Sequence, residues 1–202
     1  MKIGSKVFVR LVKMVLWPLC LAPVAILLLS IFGQLGYELG ANPIEDVLHT
    51  LGKWGLKFLL ITLAITPLRR WTGINWLIQF RRLMGLFSFF YILLHFLTYF
   101  VLDQSLDLAA VLEDILKRPY ITLGMTALLF MLPLALTSTR GMMRRLGGRW
   151  KKLHRLVYAI GILGVWHFYW QVKLDTLEPT LYVVILAVLL GYRIWFARQK
   201  SS

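Results

Sequence analysis

Lys151-Lys-Leu-His154-Arg-Leu-Val-Tyr-Ala-Ile-Gly-Ile-Leu-Gly-Val-Trp-His167-Phe-Tyr-Trp170 begins in a cluster of cations and then carries no formal charge from Leu156 to Trp170. Such a run reads as a membrane-crossing helix. Hydrocarbon about 30 Å thick takes about 20 apolar residues to span, and a helix satisfies its own backbone where water is absent. Two histidines lie in this stretch, and a third lies in the similarly apolar Tyr91-Ile-Leu-Leu-His95-Phe-Leu-Thr-Tyr99. A titratable ring is costly in hydrocarbon and is rarely there without a partner. Imidazole is also the common protein ligand of haem iron.

The rest of the chain is built the same way. Its 202 residues are 59% hydrophobic and 16% charged, with mean hydropathy +0.72, whereas soluble domains average about 45–50% apolar and about 25% charged. The apolar residues fall in blocks that mark six spans, roughly 14–33, 51–68, 83–101, 119–138, 153–170 and 179–197. The expectation is an all-α integral membrane protein, a six-transmembrane-helix bundle forming one domain over 1–202. Pro18, Pro23 and Pro133 fall inside spans and should kink or open them. The N-terminal cations resemble the start of a signal peptide, but the run Met14–Phe32 is long for one and reads as a retained span. Cys20 has no mate, which rules out an intrachain disulfide, covalent haem attachment through C-x-x-C-H and a cysteine-ligated iron–sulfur cluster. Any haem is therefore b-type. No internal repeat and no low-complexity tract stand out.

Charge sets the orientation. With the N-terminus cytoplasmic, one side receives the N-terminal arm, the Arg69–Arg82 loop, the Arg140–Arg155 segment and the C-terminal end. These together hold 18 of the 23 lysines and arginines. All nine acids (Glu38, Glu45, Asp46, Asp103, Asp107, Glu113, Asp114, Asp175 and Glu178) fall on the other side. The positive-inside rule, counting lysine and arginine alone, puts both termini in the cytoplasm. The outer face keeps five cations against nine acids, which either steers a positive partner or reflects only the acids' avoidance of the anionic inner leaflet. The basic excess reads as a topology signal, with no indication of nucleic acid.

Depth then decides which histidines can meet. His95 lies 13 residues beyond Arg82 and His167 15 residues beyond Lys152, about 20 and 22 Å along outward-running helices. His154 lies about 3 Å past Lys152. His95 and His167 can hold one metal between two helices in the outer half of the bilayer. His154 belongs at the inner interface, as an inner haem ligand, a contact to an anionic cofactor or a histidine held by lipid headgroups. A histidine in a span can also bond a neighbouring helix or relay protons. His49, one turn after Glu45, is either half of a weak metal pair or a solvated interfacial residue.

The aromatics Tyr91, Tyr99, Phe100, Trp166, Tyr169 and Trp170 either pack a macrocycle or form the usual interfacial belt. Gly85, Gly161 and Gly164 allow close approach. The basic loops either signal topology alone or include a subset that grips a flavin phosphate, haem propionates or a lipid. Gly147-Gly148-Arg149 is too isolated for a phosphate loop. The sequence offers groups that move electrons and no nucleophile–base set.

Six spans, a histidine in span three and the pair His154 and His167 in span five resemble the ferric reductase-like transmembrane domain, shared with NADPH oxidases. The compact length is similar to the YedZ/MsrQ family, the haem-binding membrane subunit of the bacterial periplasmic protein-methionine-sulfoxide reductase system. Thr66-Pro67-Leu-Arg-Arg70, Arg81-Arg-Leu-Met-Gly85, Leu136-Thr-Ser-Thr139 and Trp150-Lys-Lys-Leu-His154-Arg-Leu-Val-Tyr158 carry the likeness over nearly the whole chain. The resemblance implies an inner-membrane electron conduit. Electrons would come from the quinone pool or a cytoplasmic flavin reductase, pass through haem b and reach a periplasmic molybdopterin-containing reductase subunit. It also implies FMN, and it matches His95, His154 and His167 to the family's haem histidines. One departure is visible: Arg81 and Arg82 stand where the oxidases place a second span-three histidine, leaving His154 without a mate. Two other readings compete with the conduit: a stand-alone transmembrane ferric or quinone reductase, and a small polytopic transporter or assembly factor.

Overall fold

The computed structural model describes residues 3–34, 40–172 and 176–199. Lys2, Glu38, Lys173, Asp175 and Lys200, counted above for sidedness, lie outside the described residues. Among the described residues the secondary structure is entirely helical. Helix α1 (Ile3–Ile31) is followed by α2 (Pro43–Thr72), a 3₁₀ segment (Asn75–Phe80) and α3 (Arg81–Thr98), which ends in a π turn at Tyr99–Asp103. After α4 (Leu108–Lys117) come α5 (Pro119–Leu136), α6 (Arg140–Leu146), α7 (Gly148–Leu153), α8 (Leu156–Gln171) and α9 (Leu177–Gln199).

Five of these stretches are long and apolar enough to cross a membrane: Val7–Ile31, Pro43–Thr72, Asn75–Asp103, Pro119–Leu136 and Leu177–Gln199. The sixth expected span is shorter than the sequence suggests. The chain turns at His154 and Arg155, so α8 has 16 residues, about 24 Å of helix. In contrast, α2 outruns its apolar run at both ends. Asn42 caps it through a bond from the Glu45 amide, Pro43 stands in its first turn, and Glu45 and Asp46 complement the positive end of its dipole. Gly73, at φ 71°, stops it. The amphipathic α4 was not foreseen at all: Asp107 caps it by accepting from the Ala109 and Ala110 amides, and only Val111 is buried.

Two antiparallel hairpins, α2 with α3 and α5 with α8, make the body of the bundle. Half of α2's apolar window is buried, against 11–17% for the other four stretches, so α2 is the central helix. One of its faces packs Leu51, Phe58 and Ile65 against Leu83, Phe87 and Tyr91 of α3. The other packs Leu56, Leu59 and Leu63 against Met131 of α5, Ile160 of α8 and Leu186 of α9.

Burial from lipid gives helices little reason to associate, so packing and polar links between them carry more weight than in water. Three links stand out. Ser88 Oγ of α3 donates to the Gly55 carbonyl of α2 at 2.9 Å. Arg193 of α9 donates to the Leu63 carbonyl of α2 at 2.6 Å and to the Tyr158 hydroxyl of α8 at 3.0 Å.

The third link answers the proline expectation. Helix α1 runs through Pro18 and Pro23, and a side chain of α3 meets its backbone beside Pro23. The hydroxyl of Tyr91, a fully buried side chain, accepts from the Val24 amide at 3.2 Å and donates to the Cys20 carbonyl at 2.7 Å. The hydroxyl thus ties α1 to α3. Tyr91→Phe removes both of the bonds that tie α1 to α3. The expected cost is about 1–3 kcal/mol, read as a lower Tm of the detergent-solubilised protein, with Tyr99→Phe as the comparison variant.

Candidate functional site

His95 of α3 and His167 of α8 come together from the two hairpins, their ring centroids 6.2 Å apart and their planes at 81°. Each ring is aimed by a main-chain carbonyl of its hairpin partner. His95 Nδ1 lies 2.9 Å from the Leu48 carbonyl of α2, and His167 Nδ1 lies 2.6 Å from the Tyr120 carbonyl of α5. A carbonyl only accepts, so both Nδ1 atoms carry the proton and both Nε2 atoms keep the lone pair. That is the tautomer a metal requires, held by outer partners of the usual kind.

The approach of the rings depends on two glycines. A Cβ on Gly52 would stand 3.1 Å from His95 Nδ1, and one on Gly124 would stand 2.9 Å from His167 Nδ1. Both hydrogen bonds join residues 47 apart, and adding 72 to Leu48, Gly52 and His95 gives Tyr120, Gly124 and His167. The two hairpins therefore repeat one constellation at a fixed offset. The chain does hold an internal repeat, invisible as sequence because little beyond Gly52/Gly124, Leu56/Leu128, His95/His167 and Phe96/Phe168 recurs in it.

Between the hairpins lies a cavity of about 310 Å³ lined by both histidines and both glycines, within the range of small-molecule sites, about 300–1,000 Å³. Leu56, Leu59, Met131 and Ile160 line it together with Ile92, Phe96, Gly164 and Phe168. The distance between the rings suits one metal. With metal–nitrogen bonds of about 2.0–2.1 Å and an imidazole radius of roughly 1.1 Å, two rings on opposite sides of one ion have centroids about 6.3 Å apart.

His154 is elsewhere. Its Nε2 meets the Thr137 hydroxyl at 3.1 Å and its ring stacks on Trp150 at 4.0 Å. Thr137 and Tyr120, the α5 partners of His154 and His167, are 17 residues apart, about 25 Å of helix. His49 Nε2 lies 2.6 Å from Gln171 Nε2 and 3.9 Å from Glu45 Oε1. Among the described residues no group of three metal-binding side chains forms.

The aromatics divide. Tyr99 lines the cavity, whereas Trp166, Tyr169 and Trp170 are exposed on the outside, Tyr91 is spent on α1, and Phe100 stacks on Phe96. Gly164 reaches the cavity, while Gly161 packs against Leu186 and Leu63. Gly52, Gly124, Phe96 and Phe168 were missed by the sequence reading, and the 43-residue spacing from each glycine to its histidine was the available signal.

Residues 51–165 match the ferric reductase like transmembrane component family. A relative from Ralstonia nicotianae is 49% identical over 199 residues, covering 95% of this chain and 90% of its own length. Relatives from Xanthomonas euvesicatoria pv. vesicatoria (55% identical, covering 78% of this chain and 72% of their own length) and Xanthomonas axonopodis pv. citri (50%, 90% and 86%) are similarly close. All three are named protein-methionine-sulfoxide reductase heme-binding subunit MsrQ. The chain belongs to the MsrQ family within the ferric reductase-like class, and it is a multi-pass bacterial inner-membrane protein.

Gly124→Ala forces the His167 ring off its carbonyl or the two helices apart. We expect a loss of about 1–3 kcal/mol of stability, the usual cost of overpacking. Histidine-selective ¹⁵N spectra should show the Nδ1–H tautomer lost at His167 and kept at His95.

Proposed function

We propose that this chain is a haem b electron-transfer subunit of a methionine-sulfoxide reductase system, with His95 and His167 as the two axial ligands. The single observation that carries the reading is the pair of carbonyl-aimed imidazoles at metal-sharing distance across a cavity lined largely by apolar side chains. Haem bound there supplies a one-electron iron centre.

Everything else is done by the protein's own groups. Leu48 and Tyr120 hold the Nδ1 protons and thereby present each Nε2 lone pair. Gly52 and Gly124 let the rings sit against their helices, and Phe96, Phe168 and Leu59 exclude water. With both histidines holding it, haem iron here would serve electron transfer rather than bond-making chemistry on a substrate. The heme-binding subunit names of the relatives support the same reading.

The finer assignment is a six-span bundle with both termini cytoplasmic, α8 serving as the short sixth span, supported by the distribution of lysine and arginine. In it, electrons enter from quinol or a cytoplasmic flavin reductase and leave to a periplasmic molybdopterin-containing methionine-sulfoxide reductase subunit. FMN enters through the family resemblance alone, with no residues assigned to it. His154 would serve a second haem only after leaving the Thr137 hydroxyl.

The oxidised and dithionite-reduced spectrum of the purified protein, with haem counted per chain, tests this. A low-spin b-type spectrum is expected. His95→Ala and His167→Ala should each abolish that haem while His154→Ala keeps it. Colourless protein from haem-replete cells sinks the conduit, and equal loss in all three variants removes the assignment of the pair.

A further inference from the structure

The cavity that holds His95 and His167 is polar at one end only. Leu59, Met131 and Ile160 close its inner end, whereas Lys53, Tyr99 and Arg118 line its outer end. Lys53 follows Gly52 directly on α2, and Arg118 stands just before α5, six residues ahead of Gly124. Arg118 lies on the mouth side of Tyr120, and Lys53, which starts one residue inward of Gly52, sends its ammonium back to Glu178 in the first turn of α9, so each hairpin contributes one cation toward the same end of the cavity.

Both cations already have anionic partners. Lys53 Nζ lies 2.6 Å from Glu178 Oε2, and Arg118 meets Asp114 Oδ1 through Nε at 3.1 Å. Neither Glu178 nor Asp114 lines the cavity, so each cation stands between an acid behind it and the cavity in front. Arg118 uses only Nε in that pair and also meets the Tyr120 side chain, and a guanidinium with five N–H donors has more to offer. Lys53 has three donors on one nitrogen. Two acids do line the mouth, but each has another partner: Glu45 accepts from Asn42 Nδ2 at 3.1 Å, and Asp103 accepts from Gln104 Nε2 at 3.0 Å.

A macrocycle with two carboxylates on one edge and apolar groups on the opposite edge matches this polarity in one orientation. Resting on the haem reading above, we propose that Lys53 and Arg118 receive the two propionates of the haem at the outer mouth, the vinyl edge lying inward against Leu59, Met131 and Ile160. Each cation would then be shared between its present carboxylate and one propionate. Charge-assisted bonds of this kind are the strong ones. They also fix which way round a nearly planar ligand enters a site whose two axial ligands are related by pseudo-symmetry and do not themselves distinguish the edges.

The test uses full-length protein made without haem and loaded in detergent with either haem b or its dimethyl ester, in which both propionates are neutralised. Wild type should prefer the free acid on the order of tenfold in dissociation constant. Lys53→Gln and Arg118→Gln should each narrow that preference, and the double variant should bring the ratio near one while keeping the low-spin spectrum. Lys117→Gln, an exposed cation on α4 outside the cavity, should leave the preference unchanged. The orientation is overturned if wild type binds the ester as tightly as haem, if the double variant keeps the wild-type preference, or if Lys117→Gln erodes it equally. Failure of wild type to take up either compound overturns the haem reading itself, a separable result. The midpoint potential gives a second readout: losing either cation should lower it, because the ferric form carries the extra positive charge.

Discussion

Two hydrogen bonds between imidazole and main chain organise this bundle. Each takes a histidine that hydrocarbon would otherwise penalise and gives its proton to a carbonyl of the neighbouring helix, Leu48 in one hairpin and Tyr120 in the other. The carbonyls keep their helical bonds because an oxygen has two lone pairs. The glycine one turn further along each helix removes the side chain that would stand in the way. Helix spacing, tautomer and ring placement are thus one constraint, and the cavity is the space left when that constraint is met twice.

The sequence revealed the parts of this arrangement that depend on position along a helix. Apolar length located the spans, and 1.5 Å of rise per residue placed His95 and His167 at one level with His154 far below them. It did not reveal what depends on lateral contact. Gly52 and Gly124 look like ordinary small residues until the ring against each is known. Gly85, Gly161 and Gly164 drew more attention by lying nearer the histidines in sequence, and only Gly164 reaches the cavity. The repeat escaped notice because its identity lies in a hydrogen-bonded geometry that tolerates Leu48 in one copy and Tyr120 in the other. Helix α4 was missed because its ten residues fall well short of a bilayer-spanning apolar run, although its pattern is amphipathic, and α8 was read too long because an apolar run does not announce a turn at His154.

The links between helices also explain the standing of α2. It donates nothing to the histidines directly except a carbonyl, yet both hydrophobic clusters, the Ser88 bond and the Arg193 bond end on it. A central helix with two apolar faces needs polar contacts to fix its rotation, since either face could otherwise slide against lipid-like neighbours. The Leu63 carbonyl held by Arg193 and the Gly55 carbonyl held by Ser88 set that rotation, and with it the direction in which the Leu48 carbonyl is presented.

The contact of Tyr91 with the α1 backbone has a consequence for biogenesis. The phenol that meets the backbone of α1 lies 71 residues after the Cys20 carbonyl it donates to. During synthesis α1 leaves the ribosome first and meets the bilayer well before α3 exists. Until then the Val24 amide and the Cys20 carbonyl, four residues apart on one helix, can pair with each other, so α1 meets hydrocarbon with these two groups satisfied locally. The arrival of α3 then brings the Tyr91 hydroxyl to both groups and draws α1 onto the hairpin that carries His95.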